Sequence, residues 1–270
     1  MKRKSTLISV VCSIFFLMTA CVNVNSSKGF SFGESRIKGN GVLAEKERGV
    51  MTFNAIQTKG AVDVIIADVT NAPIKVRGDE NLVDLVETFV QNGVLHVQFK
   101  ENQNYTSKLG LKVTVPNSGL INKITAFGSS DVIVEGCIIS DNMYISCTGS
   151  SDFKGSIKAK ICELEFTGSS DFKGNIEAEK CTVSCTGSSD CVISGKVYEC
   201  TISMSGSSDF KGYDFVVNKL KCNASGSSDI RITCNEELSV TARGSCDVYY
   251  KGAANVVSKQ LSGSSSLKNR

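Results

Sequence analysis

One phrase, Gly-Ser-Ser-Asp, constrains what this chain can fold into. It begins at Gly128, Gly149, Gly168, Gly187, Gly206, Gly226, Gly244 and Gly263, at intervals of 18 to 21 residues, with Cys246 once replacing the second Ser and Ser266 replacing the last Asp. A unit this short cannot bury a core alone, so each must stack on its neighbours.

Columns read across the copies show what the unit is. Two residues before each Gly stand Ala126, Cys147, Phe166, Cys185, Met204, Ala224, Ala242 and Leu261, all apolar; four before, the column is apolar until Lys259; three before, it is polar throughout. Period-2 alternation repeated in register means a strand with one face in a core and one in water. The apolar column resumes four residues after the Gly, from Val132 to Leu267. A second strand therefore follows the corner, where Gly tolerates backbone angles other residues avoid. The expected fold is all-β: a single-stranded, right-handed parallel β-helix with irregular N-terminal coils, its hand following from the preference of parallel crossovers. Seven intervals of ~4.8 Å give a rod of roughly 34 Å. A leucine-rich horseshoe would need a Leu scaffold and an Asn ladder, and a propeller about twice the period.

The beginning of the chain supplies an address. Lys2, Arg3 and Lys4 precede an apolar run from Leu7 to Met18, ending in Met18-Thr19-Ala20-Cys21. This reads as a secretory signal over residues 1–20, too short for a membrane-spanning helix. Its end resembles the bacterial lipobox, with Met18 where Leu is commonest, which implies lipidation of Cys21 and attachment to the cell envelope, the outer membrane being the expected address. Those three basic residues account for the net charge of +3, so the remainder balances at 27 basic and 27 acidic side chains. A neutral mature chain carries no footprint for nucleic acid, and membrane contact would come through the acyl chains. Residues 21–48, rich in Ser, Gly, Asn and Lys, read as a flexible tether.

Residues 49–127 read as irregular coils and a cap, ahead of regular repeats over 128–270. Gly60-Ala61-Val62-Asp63 is a variant of the corner phrase. Ile74–Val76, Val94–Phe99 and Leu111–Val115 are strand candidates, and Asp79 to Val86 reads as one or two helical turns. A terminal unit must plug the open core. The Gly60–Asp63 opening, the Val76-Arg77-Gly78-Asp79-Glu80-Asn81-Leu82 segment, Asn92-Gly93-Val94-Leu95 and the Gly-Ser-Ser-Asp series together resemble the head GIN domain of auto-transporter adhesins, over about residues 50–268. The resemblance implies a β-helix on secreted or lipid-anchored bacterial proteins with an adhesive role, and it assigns no catalytic residue.

The corner Asp residues, Asp131, Asp152, Asp171, Asp190, Asp209, Asp229 and Asp247, stack into a candidate ligand or cation ladder. Carboxylates ~4.8 Å apart repel by roughly 0.9 kcal/mol even in water, so something must offset the column. Lys154, Lys173, Lys211 and Arg231 could thread it, Ca²⁺ could bridge coils, or each Asp could cap the corner by accepting backbone N–H groups. Calcium-binding β-rolls use a Gly-Gly-x-Gly-x-Asp phrase that this sequence lacks, so capping is favoured and no metal or other cofactor is expected.

The cysteines fall mostly in inward columns and read as small hydrophobes. Cys162, Cys181 and Cys200 share one column, and a column of three cannot pair completely. Cys185, with Cys147 or Cys191, is the exception in which an oxidising compartment would favour a bridge. His96 lies in a strand with no nucleophile nearby in sequence and reads as a solvated strand residue. Outward Thr148, Thr167 and Thr186 with Ser150, Ser169 and Ser188 form a hydroxyl-rich strip. No catalytic residue emerges, and the expected role is adhesion to a glycan or an envelope protein. The rivals are a polysaccharide-degrading β-helix enzyme, which would break the repeat with a local cluster of Asp, Arg, Lys or His, and a purely structural scaffold.

Overall fold

The computed structural model describes residues 36–270. The signal sequence, Cys21 and the tether up to residue 35 lie outside them. The chain from Lys123 onward climbs through strands β10 (Lys123–Gly128), β11 (Val132–Gly149), β12 (Phe153–Gly168), β13 (Phe172–Gly187), β14 (Cys191–Gly206), β15 (Asp209–Gly226), β16 (Asp229–Gly244), β17 (Asp247–Lys251), β18 (Asn255–Gly263) and β19 (Ser266–Asn269). Each pairs in parallel with its counterpart one coil away, making a β-solenoid of about eight turns. Matching letters meet in register: Phe153 faces Phe172, Cys162 faces Cys181 and Gly168 faces Gly187.

Burial along one coil shows its cross-section. In β12, Phe153, Ile157, Cys162, Leu164 and Phe166 are buried. The alternation slips at Gly155–Ser156, again at Lys160–Ile161, and a third time at the Gly-Ser-Ser-Asp corner. Three slips divide the coil into three sides around one apolar core. At the Gly the backbone needs a positive φ, 101° at Gly149, and a Cβ there would sit 2.6 Å from the Gly128 carbonyl oxygen. Conformation and close stacking thus both demand Gly.

Differences in unit length are absorbed elsewhere. The register shifts lie between Ile133 and Cys137, between Val192 and Gly195, between Gly212 and Val216, and between Val217 and Lys219. These follow the strand that leaves the Asp, whereas a fifth, between Leu238 and Ser239, falls in β16 as it leads into the Gly244 corner; the Gly corners themselves stay aligned throughout.

The N-terminal part is built from β1 (Ile37–Lys38), β2 (Leu43–Glu47), β3 (Ala55–Gly60), β4 (Asp63–Ala67), β5 (Lys75–Asp79), α1 (Glu80–Val83), β6 (Val86–Gln91), β7 (Val94–Phe99), β8 (Tyr105–Thr106) and β9 (Lys112–Pro116). Strands β3 and β4 form the first coil and pair in parallel with β10 and β11, Gly60 opposite Gly128. On their other side lie β7 and β9. The first coil is therefore sandwiched between the second coil and a cap layer. Antiparallel strands finish that layer: β6 on β7, and β5 between β2 and β9. The expected helical turns contract to α1, which buries Leu82 and Val83.

The tether boundary needs correction. Residues 36–48 are not free, because β1 pairs with β8 and β2 with β5. Ile37 N–H donates to Asn104 O at 2.8 Å, Gly39 N–H to Thr106 O at 2.8 Å, and Arg48 Nη2 to Val83 O at 2.8 Å.

Candidate binding surfaces

At each corner the two Ser residues divide the work. The first donates its N–H to the Gly carbonyl one coil back, as Ser150 does to Gly128 at 2.7 Å and Ser264 to Gly244 at 2.7 Å. The second turns inward: Ser130, Ser151, Ser170, Ser189, Ser208 and Ser228 are fully buried. Its hydroxyl accepts the N–H of its counterpart, Ser130 N to Ser151 Oγ at 3.2 Å and Ser151 N to Ser170 Oγ at 3.2 Å, while Ser170 Oγ donates to Thr167 O at 3.3 Å. Buried polar groups must be paired, and this column pairs within itself. Cys246, the one substitution, keeps the pattern through Sγ contacts to Gly226 O at 3.6 Å and Arg243 O at 3.4 Å. The sequence reading missed this inner ladder. Its signal was the second Ser recurring almost as faithfully as the Gly, replaced only by a residue of similar size.

The Asp residues form the outer ladder. From Asp131 to Asp190 each carboxylate accepts the backbone N–H of the next Asp: Asp152 N to Asp131 Oδ1 at 3.2 Å, Asp171 N to Asp152 at 2.9 Å, Asp190 N to Asp171 at 2.8 Å and Asp209 N to Asp190 at 3.1 Å. Asp63 extends the series, accepting from Asp131 N at 3.2 Å. Burial pushes the Asp131 and Asp171 carboxyls up, against the lowering effect of these backbone bonds, and neighbouring carboxylates add to the rise. Lys211 threads the ladder at 2.8 Å from Asp190 and 3.6 Å from Asp209, and Arg231 sits 3.0 Å from Asp229. Lys154 and Lys173 make no ion pair with it among the described residues. Asp247 ends the column, held low first by Ser266 and then by Tyr249, whose hydroxyl donates at 2.8 Å. Among the described residues no group of three or more His, Cys, Asp or Glu is placed to hold a metal ion.

Two shallow grooves run over the solenoid sides. One, of about 380 Å³, crosses the hydroxyl-rich side and is lined by Ser184, Thr186, Ser203, Ser205, Asn223, Ser225, Thr241 and Arg243. These occupy the outward positions three and one before the Gly, stacked in register across consecutive coils. Ser205 Oγ donates to Thr186 Oγ1 at 3.3 Å, so neighbouring hydroxyls already orient each other. The second, of about 740 Å³, has Ala159 and Ala178 in its floor, exposed Ile139 and Tyr198 at its margins, and ion pairs Lys158–Glu177 at 3.2 Å and Lys160–Asp141 at 3.0 Å. Sequence reading passed over this second groove because its letters are plain charged strand residues.

The segment Val76–Leu82 is a clasp. Asp79 is fully buried and accepts from Gly41 N at 2.7 Å, Lys108 N at 3.0 Å, Leu109 N at 3.2 Å and the Ser107 hydroxyl. The Ser107 bond foremost, with the backbone bonds, holds its carboxyl down at about 2 despite burial. Beside it a Cβ on Gly78 would meet Leu111 Cδ2 at 2.5 Å, and Asn81 accepts from Asn40 N at 2.9 Å and donates to Lys38 O at 2.9 Å. His96 is half-buried, its ring stacked on Phe89 at 4.9 Å. The ten cysteines among the described residues are unbridged in the structure. Cys147 cannot reach Cys185, because the coil of Phe166 lies between them. Cys191 can: its Sγ is 2.8 Å from that of Cys185.

Residues 52–254 match the family described as "Putative auto-transporter adhesin, head GIN domain". The chain belongs to the head GIN domain family. Crystal structures of similar shape include a "putative adhesin" from Parabacteroides distasonis, 21% identical with a TM-score of 0.80, and a "putative lipid binding protein" from the same species, 23% identical with a TM-score of 0.79. A "putative adhesin" from Bacteroides fragilis is 20% identical, with a TM-score of 0.66. Each comparison covers 87% of this chain and 100% of the other. No curated protein shows detectable similarity. These likenesses establish the head GIN fold, and the segments that carried the sequence resemblance are explained by it: the Gly60 corner opens the first coil, and the Asp79 clasp closes the cap.

Proposed function

We propose that this head GIN protein is a non-catalytic adhesive rod, exported and held to the bacterial cell envelope by lipid on Cys21, which binds a linear surface glycan along its hydroxyl-rich side. The observation that carries the reading is the register of Ser184, Ser203, Asn223 and Thr241 beside Thr186, Ser205, Ser225 and Arg243 along one groove. Like chemistry recurs there once per coil, every ~4.8 Å. That rise is close to the spacing of sugars in an extended glycan, so weak contacts add along the polymer and avidity substitutes for an enclosed pocket. The family description supports an adhesive role.

A glycan array probed with the full chain, beside pull-down from envelope extract, tests this. Binding to extended glycans that falls at least tenfold in Ser203→Lys and Asn223→Lys is the expected result. Capture of envelope protein without any glycan signal favours the scaffold reading, and turnover of a polymer overturns the non-catalytic one. Incorporation of a clickable fatty acid, lost in Cys21→Ser, tests the anchor.

A further inference from the structure

We infer that Cys185 and Cys191 are the two halves of an intra-coil disulfide, a covalent modification installed by a disulfide oxidant as the coil closes. The pair flanks the Gly187 corner, and both side chains are completely buried. In neighbouring coils the equivalent two positions hold at least one large side chain: Phe166 meets Phe172 edge-on at 5.7 Å, and Met204 accompanies Phe210. Only the coil between them supplies two small side chains, and their sulfurs lean together to 2.8 Å. That separation is well inside the contact distance of two unbonded sulfurs, which is near 3.6 Å, and only ~0.8 Å beyond a disulfide bond. The other stacked cysteines do not share this arrangement. Cys162, Cys181 and Cys200 lie one above another on adjacent strands, each facing the next along the axis.

The chemistry balances with a small disulfide as oxidant. One Cys thiolate attacks it, forming a mixed disulfide and releasing the first thiol; the second Cys then displaces the remaining half, closing the bond. Two electrons and two protons leave the pair and appear as two thiols of the reduced oxidant. In the folded coil this is slow, since burial foremost, then Cys185 and the nearby Asp171 and Asp190 carboxylates, push the Cys191 thiol up. The reaction therefore belongs to folding, when the corner is still open to solvent.

The test is refolding of the full chain from reducing guanidinium into a glutathione disulfide and glutathione mixture, followed by alkylation in denaturant and peptide mapping. The expected result is a peptide joining Cys185 to Cys191, with the other thiols alkylated. A higher Tm for the oxidised protein than for the reduced one, a difference abolished in Cys185→Ala, would support it further. Full alkylation of both residues, or linkage at the Cys162, Cys181 and Cys200 column in equal yield, overturns the assignment. The mapping is read on the wild-type chain and so stands even if Cys185→Ala does not fold.

Discussion

The cap and the coils of this molecule are held together by opposite means. Between coils, bonds repeat: main-chain ladders, a Ser hydroxyl inside and an Asp carboxylate outside, each one of many equals. In the cap, beside its own strand ladders, the side-chain ties are each of a different kind. Beside the short β1–β8 ladder, Asp79 ties Gly41 to Ser107–Leu109, and Arg48 reaches the Val83 carbonyl. A stack of like units has a stability that is roughly a sum over neighbours, so it loses strength in small steps. A clasp has no like neighbour to share the load, and it closes one end of the core.

Asp79→Ala should therefore have the largest effect. It removes the one buried carboxylate that Gly41, Lys108 and Leu109 N–H and the Ser107 hydroxyl share, and hydrogen exchange should show residues 36–122 opening well before the coils. Equal protection of cap and coils in the variant would break the contrast. Next comes Phe166→Ala, which empties a buried position stacked between coils and should cost about 3–5 kcal/mol in chemical denaturation, spread over adjacent turns. Ser170→Ala removes the acceptor of Ser151 N–H and should cost about 1–3 kcal/mol, whereas Ser170→Cys, imitating Cys246, should cost less.

Smallest is the response to pH, and its sign differs between the two regions. The Asp79 carboxyl titrates below its ordinary 3.8, at about 2, so its contribution is present above the ordinary value and is lost as pH falls through the lower one. Asp131 and Asp171 are raised, so the native coils bind those protons more tightly than the unfolded chain does. Their contribution grows as pH falls from neutral through the raised values, and levels off below the ordinary carboxylate range. Tm measured against pH should flatten on the acid side in Asp79→Asn, and lose its gain on mild acidification in Asp131→Asn combined with Asp171→Asn.

The same contrast explains what sequence alone could reveal. Columns such as Ala126 to Leu261 repeat one environment eight times, so alternation identified the coils and their inward faces. The cap offers each environment once. Leu43–Glu47 looked like tether because what holds it, Lys75–Asp79 and Asp84, lies far along the chain. Strand β6 was hidden by Glu87, Thr88 and Gln91 among its residues. Yet Asn92 and Gly93, with φ of 51° and 77°, make the tight turn of a β6–β7 hairpin, a signal present in the letters Asn-Gly. The backbone bonds of the Asp ladder agreed with the capping expectation. The clasp at Asp79 could not be foreseen, since its partners come from two stretches distant in the chain, at Gly41 and at Ser107–Leu109.

Because most changes in unit length are taken up at the bends that follow the Asp strand, one edge of the rod is kept nearly true while another is free to vary. Extra residues between Ile133 and Cys137 or near Gly212 leave the hydroxyl-bearing edge unmoved. Those bends are the natural places to hang new loops on this scaffold, as pennants along a mast whose opposite side stays straight.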